Sequence, residues 1–239
     1  MTPQQVLTTP PPAMHDIERE NAQSIAAAEK KNANVVIIDP SKMVDPEGRL
    51  IDLEDKKAVR RWLREIYQGR RVTIEDDGQV VLFSGRGLDD DVYKCRGTAR
   101  RQTYANLDGV VENSIYHSYE YGDDRHPYVI MHKTYYGAVD IGLELYATRI
   151  KVDVYDDVED GLYKDLDIVK IKTPPGTVAD GLDGRPTIYA DGATSLVSLP
   201  AIKQAFDRTS NKISDSAPEI NSKNKKNEKK SKNSPGDAP

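Results

Sequence analysis

Two long alternating segments in the middle of the chain constrain its fold more than any other feature. They are YVIMHKTYYGAV, beginning at Tyr128, and LELYATRIKVDVY, beginning at Leu143. Successive side chains of a β-strand point to opposite faces, so this alternation predicts strands with one apolar and one polar face. The few residues between the two segments predict a tight turn and antiparallel pairing.

The same alternation sorts polar residues onto one face of the predicted sheet. The second segment presents three of them in series: Arg149, Lys151 and Asp153. A third segment, LYKDLDIVKIK, adds Tyr163, Asp165 and Asp167 opposite Leu162, Leu166 and Ile168. If the apolar faces of the first two segments coincide, His132 and Thr134 lie beside the row from Arg149 to Asp153.

Helical patterns precede most of these strands. Residues 15–31 predict a helix that Asp16 can cap, and the run from Leu53 to Tyr67 places Trp62 and other apolar residues on one side. TARRQTYANLDGVVEN is a further helical region, interrupted near its centre. Helices followed by mainly antiparallel strands predict an α+β fold. We expect N-terminal helices packed on a four- to five-stranded mainly antiparallel sheet, with disordered termini.

The composition along the chain predicts four parts. Residues 1–32 form a flexible N-terminal arm with a candidate helix, and residues 33–176 form the α+β domain. Residues 177–207 supply a loop and the small helix SLPAIKQAF. Residues 208–239 are rich in lysine, asparagine and serine and predict a disordered tail.

The charge distribution limits the classes of partner. The net charge is −5, and the chain from Arg208 onward carries eight Lys or Arg against four Asp or Glu, which leaves the first 207 residues at −9. Phosphate binding favours positive surface, so an acidic body requires a local basic groove for any contact with nucleic acid. The chain has no apolar run of membrane-spanning length and no secretory signal pattern. One cysteine, Cys95, predicts a reducing, cytoplasmic location.

The polar face combines groups that suit RNA cleavage without a metal ion. A base takes the proton of a ribose 2′-hydroxyl, cations stabilise the charge that develops on phosphorus, and an acid protonates the leaving oxygen. Histidine suits proton transfer near neutral pH, and His132 is the candidate for it. The alternative is that one face of an antiparallel sheet simply meets water and carries charge for solubility. Periodicity leaves both interpretations open.

Three stretches carry a resemblance to a known family: VVLFSGRGL, ANLDGVVENSIY and RIKVDVYDD. The chain is similar there to the large polyvalent protein-associated domains of phage and mobile-element proteins. Those domains look like relatives of the barnase–EndoU–colicin–RelE group of RNA nucleases. The resemblance covers about residues 55 to 176. It implies a helical layer on an antiparallel sheet, with RNA cleavage on the sheet face.

The resemblance also implies roles for particular residues. Arg149 and Lys151 match basic positions of the penultimate strand, and Tyr163 matches an aromatic residue of the last strand. Together with His132 they form the predicted catalytic set, and three more residues are predicted to bind substrate: Thr134, Arg100 and Arg101. The alternative to substrate binding is that the two arginines and their basic neighbours form local ion pairs with Asp89 to Asp91. The histidine that such domains often carry before ANLDGVVEN is absent here, so activity requires His117 or His132 to replace it.

Two functions follow from these patterns. The first is a metal-independent endoribonuclease of a phage or mobile element, a toxin or effector module with RNA as substrate. It needs no cofactor and no metal. The second is a catalytically inactive relative that binds a nucleic acid, a protein partner or an inhibitor. Neither involves a membrane.

Overall fold

An eight-stranded mixed sheet forms the centre of the protein in a computed structural model that describes residues 14–122, 128–156, 158–171 and 196–214. The strands are β1 (Asn32–Ile38), β2 (Arg71–Thr73), β3 (Val80–Leu82), β4 (Ile115–Tyr121), β5 (Val129–Ile141), β6 (Glu144–Tyr155), β7 (Val158–Lys170) and β8 (Leu196–Ser198). Their order is β2-β3-β7-β6-β5-β1-β8, and β4 also pairs with β5. The pairs β1–β5 and β3–β7 are parallel, and the others are antiparallel.

The long strand β5 organises the sheet. Strand β6 pairs along its whole length, so β4 and β1 share the opposite edge, β4 on the first half and β1 on the second. The predicted α+β class is confirmed, but the predicted number of strands is too low. The sequence predicts the hairpin of β2 and β3 from VTIE and QVVLF with an Asp-Asp-Gly turn between them, and β3 joins it to the main sheet through β7. Strand β8 has three residues, too few to show an alternation that would reveal its pairing with β1.

Six α-helices accompany the sheet in the described residues. They are α1 (Met14–Ala28), α2 (Lys56–Tyr67), α3 (Gly85–Lys94), α4 (Thr98–Gln102), α5 (Leu107–Glu112) and α6 (Leu199–Ser214). None of the helices in these ranges is long and apolar enough to cross a membrane. The predicted domain boundaries stay predictions, and much of the predicted arm, loop and tail lies outside the described residues, at 1–13, 177–195 and 215–239.

Helix α3 is not among the helices predicted from the sequence, and it begins within SGRGLDDD. Ser84 caps it by accepting a hydrogen bond from the Gly87 amide at 3.1 Å. A Cβ atom on Gly87 would lie 2.0 Å from the carbonyl oxygen of Tyr163, so glycine is required for the helix to lie against β7. Gly87 disfavours a helix locally, and its close contact with β7, which is distant in sequence, explains why glycine is needed there.

Two apolar cores lie on the two faces of the sheet. The inner face, defined by Tyr135, Ile150 and Val152, packs against apolar residues of α2, α3 and α5. The outer face carries His132, Arg149 and Lys151 at one end. At its other end Ala138 and Ala147 join a second core with residues of α1, β8 and α6. Helix α6 therefore covers part of the face that the sequence predicts to be polar.

The strand register shifts at four places, and three of these are bulges with one extra residue, which change the face that a side chain occupies. The extra residues are His117 in β4, Ile130 in β5 and Lys164 in β7. Because of the bulge at Lys164, Tyr163 pairs with Val152 while Asp165 pairs with Lys151. Tyr163 thus lies on the inner face, and the predicted placement of Tyr163 on the polar face is wrong.

Candidate functional site

Four of the predicted site residues share the outer face of β5 and β6. His132 lies opposite Asp153, Thr134 opposite Lys151, and Arg149 opposite the residue two positions after Thr134. The expectation that these side chains share one face is confirmed by this register. Neighbouring rows are roughly 7 Å apart, because two strand residues span that distance. Arg149 is therefore about 13 Å along the strands from the row of His132.

His132 and Asp153 form a close pair at one end of this face. Nδ1 of the imidazole lies 2.5 Å from Oδ1 of the carboxylate, and the side chains are 16% and 15% exposed. A carboxylate accepts and cannot donate, so we assign the proton to Nδ1 and the free lone pair to Nε2. Nε2 contacts no polar group of the described residues. The pair has the arrangement in which a carboxylate orients an imidazole base.

Lys164 completes this cluster from the neighbouring strand. Its Nζ lies 3.2 Å from the same Oδ1 of Asp153 and 3.4 Å from Nδ1 of His132. With the proton on Nδ1, both the imidazole and the ammonium donate to Asp153. Lys164 is the extra residue of the β7 bulge. In a regular strand Lys164 and Asp165 would point to opposite faces, so only the bulge allows Lys164 to lie beside Asp153 while Asp165 lies beside Lys151.

A groove of about 430 Å³ opens next to the cluster, between α3 and the ends of β5, β6 and β7. We call it the outer groove. Its wall on α3 presents Arg86, Asp90 and Lys94, one helical turn apart. Its floor includes Asp153, Tyr155, Leu162, Val129 and Lys164. Asp153 therefore connects the groove directly to the imidazole of His132.

The outer groove carries an excess of positive charge in an acidic protein. Its lining contains three cations and two carboxylates, and the cations are Arg86, Lys94 and Lys164. The side chain of Arg86 is 88% exposed, and its Nε lies 4.0 Å from Asp90, a distance typical of a weak ion pair. Lys94 lies 3.3 Å from Asp165, whose side chain is on the same sheet face. Each of the three cations is thus also paired with a carboxylate, since Lys164 contacts Asp153.

Arg149 lies away from the groove, at the edge of α6. Its Nη2 is 2.5 Å from Oδ2 of Asp167, and its guanidinium lies 5.1 Å from the centroid of the Phe206 ring. Burial lowers the pKa of Arg149, but Asp167 more than offsets this and holds it above its ordinary value. The structure therefore pairs Arg149 with groups of the protein and does not bring it next to His132.

Tyr163 and Arg100 belong to a buried polar cluster on the inner side of β7. The Tyr163 hydroxyl donates to Asp91 at 2.7 Å, and the same carboxylate forms an ion pair with Arg100. Burial, followed by Asp91, raises the pKa of Tyr163 well above its ordinary value. Tyr163 contributes to the lining of the groove, but only 1% of its surface is exposed and its hydroxyl is bound to the buried Asp91. These groups join α3 and α4 to the sheet.

Arg101 likewise holds structural elements together. It donates to the carbonyl oxygen of Leu53 at 2.6 Å and pairs with Glu54 at 2.9 Å. Of the three residues predicted to bind substrate, only Thr134 lies on the outer face. The local pairing with Asp89 to Asp91, which the sequence left open, is found for Arg100, whereas Arg101 pairs with Glu54.

Several residues of the groove were not predicted as site residues. Asp153 could have been found, because the hairpin register of the alternating segments places it opposite His132. Lys164 had no such signal, because strict alternation assigns it to the other face. Arg86 and Lys94 belong to a basic cluster of the sequence that is a candidate for phosphate binding, and α3 places both in the groove wall. Within the described ranges no group of three His, Cys, Asp or Glu side chains could hold a metal ion.

The other candidate histidine, His117, lies in a different environment. It is 7% exposed, and its ring packs edge-on against Tyr136 with centroids 5.1 Å apart. Burial, followed by the charge of Lys203 in α6, lowers its pKa below the ordinary value. His117 therefore lies in the interface with α6, and His132 alone of these two histidines adjoins the groove.

Comparison with known proteins gives one family match. Residues 52–163 match the family described as large polyvalent protein-associated domain 3, a stretch somewhat shorter than half the chain. No curated protein and no solved structure gives a significant match. The matched stretch runs from just before α2 into β7 and includes His132 and Asp153, while Lys164 follows it directly. The match supports a large polyvalent protein-associated domain over the part of the chain that builds most of the outer groove.

Proposed function

We propose that the outer groove binds RNA and that His132 initiates metal-independent cleavage of the bound strand. The observation that carries this proposal is the His132–Asp153 pair, in which Asp153 lines the groove and its contact with Nδ1 leaves Nε2 of the imidazole as a base. We further propose that the domain is related to the barnase–EndoU–colicin–RelE nucleases and that it acts in the cytoplasm.

The reaction follows from the placement of these groups. Nε2 of His132 takes the proton of a ribose 2′-hydroxyl, and the oxygen attacks the adjacent phosphorus. The bond to the 5′-oxygen of the next nucleotide breaks, which leaves a 2′,3′-cyclic phosphate on one product and a 5′-hydroxyl on the other. Lys164 and Arg86 stabilise the negative charge of the phosphorane, and the Lys164 ammonium supplies the proton to the leaving oxygen. Asp153 keeps the imidazole in the required tautomer.

The location of Arg149 favours one second function. Because Arg149 is paired with Asp167 beneath α6, the cation that the resemblance assigns to catalysis lies outside the groove. The helix histidine of related domains is absent as well. An inactive relative that binds RNA in the same groove without cleaving it fits these two departures.

Cleavage of a mixed structured RNA in EDTA tests the proposal. We expect the wild type to release products with 2′,3′-cyclic phosphate ends. His132→Ala and Lys164→Ala should each reduce the rate by a factor on the order of 10² or more, since each removes a proton-transfer or charge-stabilising group. The matched control is Lys170→Ala, an exposed lysine of the same strand that pairs with Glu144.

The outcomes separate the two functions. Equal rates for wild type and His132→Ala would refute the assignment of the base. Intact RNA with wild type, together with binding that Lys164→Ala weakens and Lys170→Ala does not, would replace cleavage by the binding function. Arg149→Ala should change the rate only a few-fold if the groove is the site, and a loss as large as that of His132→Ala would favour the original prediction for Arg149.

A further inference from the structure

We infer that the outer groove contains a subsite for one unpaired nucleobase, stacked on the ring of Tyr155. This inference rests on the proposed RNA binding and names the form of RNA that the groove accepts. Its starting point is the chemical difference between the two ends of the groove. The end next to His132 is charged, whereas the end beyond Asp153 is apolar and aromatic.

The apolar end is built by a break in strand regularity. The bulge at Ile130 places Val129 opposite Tyr155, so that both side chains face the groove. Leu162 of β7 contributes to the same floor. The Tyr155 hydroxyl makes no hydrogen bond to any described residue. An aromatic ring beside two aliphatic side chains offers a flat apolar surface of the kind on which bases stack.

The charged groups fix where the base would lie. Lys164 and Arg86 line the groove together with Tyr155, so a phosphate bound between these cations lies next to the ring. His132 lies opposite Asp153, and Tyr155 follows Asp153 by two residues on β6. A base on Tyr155 therefore belongs to a nucleotide that flanks the phosphate attacked near His132. The volume of about 430 Å³ is in the range of pockets that hold one small ligand, which fits a single nucleotide.

This arrangement discriminates between forms of RNA. In an A-form duplex the bases are stacked on each other and their faces are not available, whereas loops and single strands can turn a base outward onto an aromatic side chain. The groove should therefore prefer unpaired RNA, and Tyr155 should act as a residue that sets this preference. Stacking makes little use of base edges, so the preference for particular bases should be weak.

Binding of a 2′-O-methyl RNA tests the subsite separately from cleavage, because this RNA lacks the attacking hydroxyl. Fluorescence anisotropy would compare a labelled single strand with the same strand in a duplex. We expect the single strand to bind more tightly. Tyr155→Ala should weaken its binding roughly tenfold, the effect of losing one stacked base, while Tyr155→Phe keeps the ring and stays within about threefold of wild type.

The matched control is Tyr93→Ala, which removes an exposed tyrosine of α3 that does not line the groove. Equal or tighter binding of the duplex would overturn the inference, as would equal weakening by Tyr155→Ala and Tyr93→Ala. Ring-dependent binding by a protein that leaves ordinary RNA intact would support the subsite while refuting cleavage. Cleavage that depends on His132, together with RNA binding that Tyr155→Ala does not change, would support cleavage and refute the subsite.

Discussion

Replacing Tyr163 with phenylalanine separates a structural role of this residue from the catalytic role that the sequence predicts. The substitution removes only the hydroxyl, which donates to the buried carboxylate of Asp91 at 2.7 Å. The ring itself stays packed against Phe83, with centroids 5.1 Å apart, so no large cavity forms. Asp91 keeps its ion pair with Arg100 and the amide of Leu166 at 3.3 Å.

The magnitude follows from the single contact that is lost. A hydrogen bond to a charged group contributes about 1.5–3 kcal/mol, and here the acceptor is fully buried and cannot turn to water instead. We therefore expect the free energy of unfolding to fall by about 2 kcal/mol. With a urea dependence of about 2 kcal/mol per molar, the unfolding midpoint should fall by about 1 M.

Urea unfolding followed by circular dichroism measures this shift. The control is Tyr155→Phe, which removes a hydroxyl without a described partner and should change stability by less than about 0.5 kcal/mol. Tyr163→Phe should cleave RNA at the wild-type rate at low urea if the wild type is active. If the urea midpoint of Tyr163→Phe stayed within roughly 0.2 M of wild type while cleavage was lost, the structural role would be refuted and a catalytic role for Tyr163 supported.

Two further predictions concern stability. Gly87→Ala should lower the free energy of unfolding by more than about 2 kcal/mol, because the new Cβ meets the Tyr163 carbonyl oxygen. Gly85→Ala is the control: its Cβ meets only a flexible glutamine side chain, and its free energy of unfolding should stay within about 1 kcal/mol of wild type. Similar urea midpoints for the two variants would contradict this prediction. Because burial, then Lys203, lowers the pKa of His117 below its ordinary 6.5, the unfolded chain binds the proton more readily than the native protein. Stability should therefore be complete above about pH 6.5 and decrease as the pH falls towards the lower native pKa. Urea midpoints at several pH values would show this decrease for wild type and a weaker one for His117→Gln, and identical profiles would exclude His117 as the cause.

The sequence by itself determined which strand residues share a face. Side-chain direction alternates through local backbone geometry, so the pattern of β5 groups His132 with Thr134 and that of β6 groups Arg149 with Lys151. The assumption that the apolar faces of the hairpin coincide places the two pairs on one face. The α+β class follows from similar local periodicities. The family resemblance was also visible in the sequence, and the match over residues 52–163 supports the domain it indicated.

Only the tertiary structure decided how these residues form a site. The bulge at Lys164 exists because two paired strands differ by one residue, and it moves Tyr163 to the inner face and Lys164 to the imidazole of His132. Helix α6, far away in sequence, covers the row of Arg149, and α3 supplies the cationic wall of the groove. Register, bulges and helix docking depend on contacts between distant segments, so a pattern that repeats every two residues contains no information about them.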